Sequence, residues 1–128
     1  MSGPGPRAYP RGMVDVTATD VVERYTRALA DRDFAAARAL LADDLVFEGP
    51  IDRFERADDF VKSISGLYQM VKGAETQAMI AQGDDVAWFY LLDTPVAMAP
   101  VAEWHTVRGG RIARIRAYFD ARPFAAPH

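Results

Sequence analysis

Within Val101-Ala102-Glu103-Trp104-His105 an acid and an imidazole stand two residues apart. On a strand that spacing puts both side chains on one face, about 6–7 Å apart along the chain. A carboxylate on a buried face must be paired or take up a proton, and the protonated form supplies a general acid. A histidine beside a carboxylate can shuttle protons near neutral pH. The plain alternatives stand beside these readings: Glu103 in a structural ion pair with His105 or an arginine, and His105 as a satisfied core residue. Two ligands on one strand make a poor metal site, and the only other histidine is His128 at the end of the chain. No metal and no cofactor is expected.

These residues need a frame, and 128 residues suffice for one domain with a core of its own. The formal charge of −3 gives no attraction to nucleic acid or to an anionic membrane surface. With no cysteine, disulfides, thiolate metal sites and a cysteine nucleophile are excluded. No apolar run reaches the roughly 20 residues needed to span a bilayer. The first residues carry no apolar stretch of the signal-peptide kind, and the reading is a cytoplasmic protein. Gly and Pro crowd residues 1–13, read as a flexible arm. A single domain follows over residues 14–122, and residues 123–128 read as a tail.

Apolar residues recur at helical spacing in three stretches. The first runs from Thr19 to Ala30, with Thr17 or Thr19 as its cap. The second runs from Phe34 to Leu41 behind an Asp33 cap and is ended by Asp43-Asp44. The third, capped by Asp58, carries Phe60, Val61, Ile64, Leu67 and Tyr68 on its apolar face. Leu45–Glu48 reads as a short strand stopped by Gly49-Pro50, and Arg53–Glu55 as a shorter one. Four strands close the chain: Ala74–Ala81, Val86–Asp93, Val101–Val107 and Arg111–Phe119, with Arg108-Gly109-Gly110 as the last hairpin turn. Helices first and a strand meander after them give an α+β domain with an antiparallel sheet.

Three strings carry a family resemblance. Val21-Val22-Glu23-Arg24-Tyr25-Thr26-Arg27-Ala28-Leu29 resembles the first helix of bacterial ketosteroid isomerases. Leu41-Ala42-Asp43-Asp44-Leu45-Val46-Phe47-Glu48-Gly49-Pro50 resembles the segment after their second helix. Arg108-Gly109-Gly110-Arg111-Ile112, running through Tyr118-Phe119-Asp120, is similar to the closing hairpin of SnoaL-like proteins. All belong to the nuclear transport factor 2-like superfamily. The resemblance implies a cone-shaped, curved antiparallel sheet wrapped by three N-terminal helices, a deep apolar pocket and a homodimer through the outer sheet face.

It also selects the inward row of each strand: Glu103, His105 and Val107; Trp88, Tyr90 and Leu92; Ala113, Ile115, Ala117 and Phe119. Tyr25, Ile64 and Tyr68 join from the helices, and Phe47 from the first strand. Glu103, His105, Tyr25 and Tyr90 are then the candidate acid–base groups. Trp88, Leu92, Phe47 and Ile64, with Tyr68, Ile115, Ala117 and Phe119, are the candidate substrate wall, or simply core. Tyr25 falls at the family's oxyanion tyrosine, Glu103 at its protonated acid, and Gly49 where it has the catalytic Asp. Asp52, on the following loop, can bend inward, and Asp120 ends the last strand; both are secondary candidates. The implied activity is acid–base catalysis without a cofactor on a hydrophobic small molecule, by an isomerase or polyketide-cyclase type of reaction. A binding or dimerisation module of the same fold is the alternative.

Overall fold

A computed structural model describes residues 17–124. The expected arm at residues 1–13 lies outside the described residues. Helix α1 (Ala18–Ala30) opens with a capping box: the Thr17 hydroxyl accepts from the Asp20 N–H while Asp20 accepts from the Thr17 N–H. Asp33 caps α2 (Phe34–Ala39) through the Ala36 N–H. Helix α3 (Ala57–Tyr68) starts at Arg56 without a side-chain cap. Asp58, expected to cap it, sits in its first turn and pairs with Arg38 at 2.7 Å.

Strand β1 (Leu41–Glu48) begins four residues earlier than its apolar run suggests, and α2 correspondingly stops at Ala39. The reason is tertiary pairing. Leu41 lies opposite Ile112 in a parallel ladder, and the Leu40 carbonyl accepts from the Ile112 N–H. Asp43 and Asp44 do not stop a helix. They stand on the exposed side of the strand and pair with Arg38 and Arg108.

The sheet is completed by β2 (Arg53–Phe54), β3 (Gly73–Gln82), β4 (Asp85–Asp93), β5 (Met98–Arg108) and β6 (Arg111–Phe119). Its order is β2-β1-β6-β5-β4-β3. The meander β3 to β6 is antiparallel throughout, and β1 joins it parallel to β6. Register shifts bend three ladders: β1/β6, β3/β4 between Thr76 and Ala78, and β5/β6 between Thr106 and Val107. The sheet is thereby curved and unclosed, with the helices against its concave side, which is the α+β cone.

The last bulge corrects one inward residue. Thr106 faces Arg114 and Val107 faces Ile112, so Ala113 is the extra residue, and Ile112 takes the buried place expected for it. Helix α1 packs across β3, β4, β5 and β6. Under it, Val86, Val107, Ile112 and Ile115 form one apolar cluster with Val21, Val22, Tyr25 and Leu29. Residues Arg122–Phe124 form a short 3-10 turn that packs Phe124 edge-on to Phe119, so the chain expected to be free from residue 123 stays packed to 124.

The β5–β6 hairpin turns through Gly109 (φ 60°) and Gly110 (φ 78°), the left-handed pair such a two-residue turn requires. A Cβ at Gly110 would meet nothing within 4 Å, so any penalty there is backbone strain alone. Gly110→Val is expected to cost about 1–2 kcal/mol. Urea denaturation should show a lower midpoint at unchanged slope. An unchanged midpoint would contradict the left-handed turn.

Candidate functional site

Cross-strand register assembles the site. Glu103 on β5 stands opposite Trp88 on β4 and Ala117 on β6, and Tyr90 stands opposite Val101, diagonal to Glu103. Diagonal neighbours on one face lie within reach of long side chains. The Tyr90 hydroxyl donates to Glu103 Oε2 at 2.5 Å, and His105 Nε2 lies 2.9 Å from Oε1. Glu103 is 7% exposed and His105 fully buried. Each carboxyl oxygen of Glu103 therefore has a hydrogen-bond partner, as a polar group in an apolar interior requires.

His105 Nδ1 is buried without a hydrogen-bond partner among the described residues. A proton on Nε2 donates to Glu103 and leaves Nδ1 with only an unmatched lone pair. The other tautomer would bury an unmatched N–H, the costlier state. The imidazole is wedged by the Tyr25 ring, edge-on at 5.7 Å, and by Trp88 at 6.3 Å. Trp88 stacks on Tyr90 at 3.9 Å, and its indole N–H donates to Thr76 Oγ1 at 2.9 Å.

In front of this network lies a cavity of about 390 Å³ between α3 and the sheet. That is within the range of small-molecule pockets. Tyr90 and Glu103 reach its wall, as do Leu92, Phe47, Ile64, Tyr68, Ala117 and Phe119. Four of the expected residues do not. Tyr25, His105, Trp88 and Ile115 lie behind the wall: Tyr25 and Ile115 in the core that α1 forms with the sheet, His105 against Tyr25, and Trp88 in the neighbouring cluster with Tyr90 and Leu92. The inward row of β5 is thus divided: His105 and Val107 are packing, while Val101 and Glu103 face open space.

Asp52 lies on the cavity rim, held on a turn whose Gly49 N–H donates to the Asp52 carbonyl at 2.9 Å. Glu48 points to the outer face, where the Arg114 guanidinium bonded to it holds its carboxyl below the usual value. Asp120 is outside the cavity; hydrogen bonds from Arg122 lower its pKa to about 2. Sequence reasoning missed Leu29, Phe60, Ala99 and Phe124 as wall residues. The first two were visible as apolar helix positions; the place of Phe124 depends on a turn that no local pattern announces.

The chain belongs to the SnoaL-like domain family, whose model matches residues 22–115. A protein of Kribbella flavida with a known crystal structure is 32% identical over 86% of this chain and 92% of its own, with a TM-score of 0.80. An LEH-like epoxide hydrolase of M. tuberculosis is 26% identical over 81% of this chain and 83% of its own, at 0.69. A proposed polyketide cyclase from Sinorhizobium meliloti is 22% identical over 77% and 94%, at 0.72, a likeness of fold. No curated protein matches the sequence.

Burial drives the pKa values of Tyr25, Tyr90 and Tyr68 above the usual tyrosine value, and the Glu103 charge adds to it. The fold keeps these protons while the unfolded chain releases them above about pH 10. The stability they contribute is complete below that pH and is lost as pH rises beyond it, by up to about 1.4 kcal/mol per pH unit for each tyrosine. In an alkaline titration their phenolate absorbance should appear together with the loss of circular dichroism, and Tyr25→Phe should flatten the pH slope. Phenolate signal from these three in a folded chain would refute this.

Proposed function

We propose that the chain is a cofactor-independent enzyme acting by general acid–base catalysis on a hydrophobic small molecule. The observation that carries this is a carboxylate, Glu103, set in the wall of a mainly apolar cavity. Each of its oxygens accepts one protein donor and keeps a second lone pair for a bound molecule or water. Tyr90 and His105 orient the group, and both can exchange a proton with it. His105 acts through Glu103 as a positioning residue, since it does not reach the cavity. The reactions this suits are isomerisation, cyclisation, dehydration and epoxide opening. The likeness to an epoxide hydrolase favours the last.

Turnover of a panel of apolar epoxides and ketones tests the reading. Glu103→Gln keeps the shape and removes the base; it should lower kcat/KM about 10²–10⁴-fold. Full turnover by both Glu103→Gln and His105→Ala would refute the assignment. One observation favours the second reading, a binding module without chemistry: Gly49 carries no carboxylate where the resembling isomerases have theirs. Tight binding across the panel with no product would support that module.

The outer sheet face is the proposed dimer surface. Two rows cross it: Ile80, Ala87, Trp104 and Arg116, then Ala78, Phe89, Ala102 and Tyr118. Ile80 is 61% exposed, Phe89 38%, Trp104 41% and Tyr118 54%. A contiguous aromatic patch of this kind marks an interface. Sedimentation equilibrium should give twice the chain mass, and Phe89→Glu should give the monomer. A wild-type monomer at micromolar concentration would exclude the dimer.

A further inference from the structure

Three phenols surround Glu103, and the structure gives them different work. Tyr25 lies behind the wall, in the core against His105. The Tyr90 hydroxyl donates to Glu103. Tyr68 reaches the cavity and is 5% exposed, and its hydroxyl makes no hydrogen bond among the described residues. An O–H that opens on an apolar cavity without a protein partner is free to donate to an acceptor on a bound molecule.

The ring is also held. Tyr68 is the last residue of α3, and Phe34 packs edge-on to it at 6.2 Å. The Arg32 guanidinium lies 5.4 Å from its centroid. Arg32 donates to the Val71 carbonyl at 2.8 Å and to the Ala30 carbonyl at 3.0 Å. Its backbone sits in the left-handed region at φ 55°, a conformation that costs energy in a non-glycine residue and persists where the surroundings enforce it. The Arg32 charge opposes the upward push that burial and Glu103 exert on the phenol, which makes Tyr68 a better donor than burial alone would leave it.

We propose that Tyr68 is the donor that meets an oxygen of the bound molecule, that Arg32 is its positioning residue, and that the cavity selects apolar molecules carrying an acceptor oxygen: a ketone, an ether or an epoxide. This rests on the reading of the cavity as a small-molecule site. Tyr68 supplies the hydrogen-bond donor and Glu103 the acceptor, with apolar wall at Ile64, Leu92 and Val101 around them. A hydrocarbon of the same shape leaves the phenol unmet.

The test uses two probes of matched shape, 1-acetylnaphthalene and 1-ethylnaphthalene, titrated against the full chain and its variants. Tyr68→Phe should lower the ratio of ketone to hydrocarbon affinity about fivefold, the worth of one neutral hydrogen bond, and leave hydrocarbon affinity in place. Arg32→Met, which keeps an apolar stem, should lower the ratio part of the way. Tyr25→Phe should not move it. A ratio unchanged in Tyr68→Phe overturns the role of Tyr68 while the cavity reading stands. Binding of neither probe to the wild-type chain overturns the small-molecule reading, and the proposal with it.

Discussion

Glu103 places a carboxylate inside an apolar cone, and much of the site follows from having to meet it. One donor comes from its own strand, His105, and one from the neighbouring strand, Tyr90. Both depend on the β4/β5 register. A slip of β5 by one residue would turn Glu103 and His105 to the outer face and leave Trp88 and Tyr90 inside without them. That ladder runs without a shift from Asp85–Thr106 to Asp93–Met98, whereas the ladders on either side of it are bulged. The curvature that makes the cone is thus carried by the flanking ladders, and the pairing that fixes the acid stays regular.

Helix α1 sets where core ends and cavity begins. It lies over one end of the inward rows and fills that end with Tyr25, Val22 and Leu29. Beyond it, the same rows face α3 across open space. A strand row that is uniform in pattern is therefore divided in function. Glu103 stands at the boundary, with the imidazole on the packed side and the cavity on the other. The buried Nδ1 of His105, without a partner among the described residues, belongs to this boundary, where the Tyr25 and Trp88 rings pack on the imidazole and the Trp88 N–H is taken by Thr76.

The meander was legible because strand runs and turn residues are local signals, but its inward rows were not: Val86–Leu92 is apolar throughout, so alternation left two candidate rows and the family resemblance selected one. The start of β1 was not, because Asp43 and Asp44 resemble a helix stop, and only pairing to Ile112 and to two arginines explains them as strand. Ala113 was misplaced because a bulge breaks alternation without a local mark. Tyr25 and His105 were found as members of the network, but their distance from the cavity depends on how α1 crosses the sheet, which is a property of packing. Tyr68 was read as wall. Its unmatched hydroxyl appears only once Tyr90 is seen bonded to Glu103.

Gly49 explains why the acid chemistry is concentrated so deep. A Cβ there would lie 3.2 Å from the Phe47 ring, and Phe47 is stacked on Phe60 at 4.7 Å and tilted against Phe54. The ring cannot yield without disturbing that aromatic cluster. A side chain at position 49 would therefore compete with the packing that anchors α3 to β1. The carboxylate nearest in sequence on the cavity side, Asp52, is displaced to the rim by the turn that Gly49 opens. On the proposed reading the cavity then works with one carboxylate, Glu103, and with Tyr68, the phenol that faces it without a protein partner among the described residues.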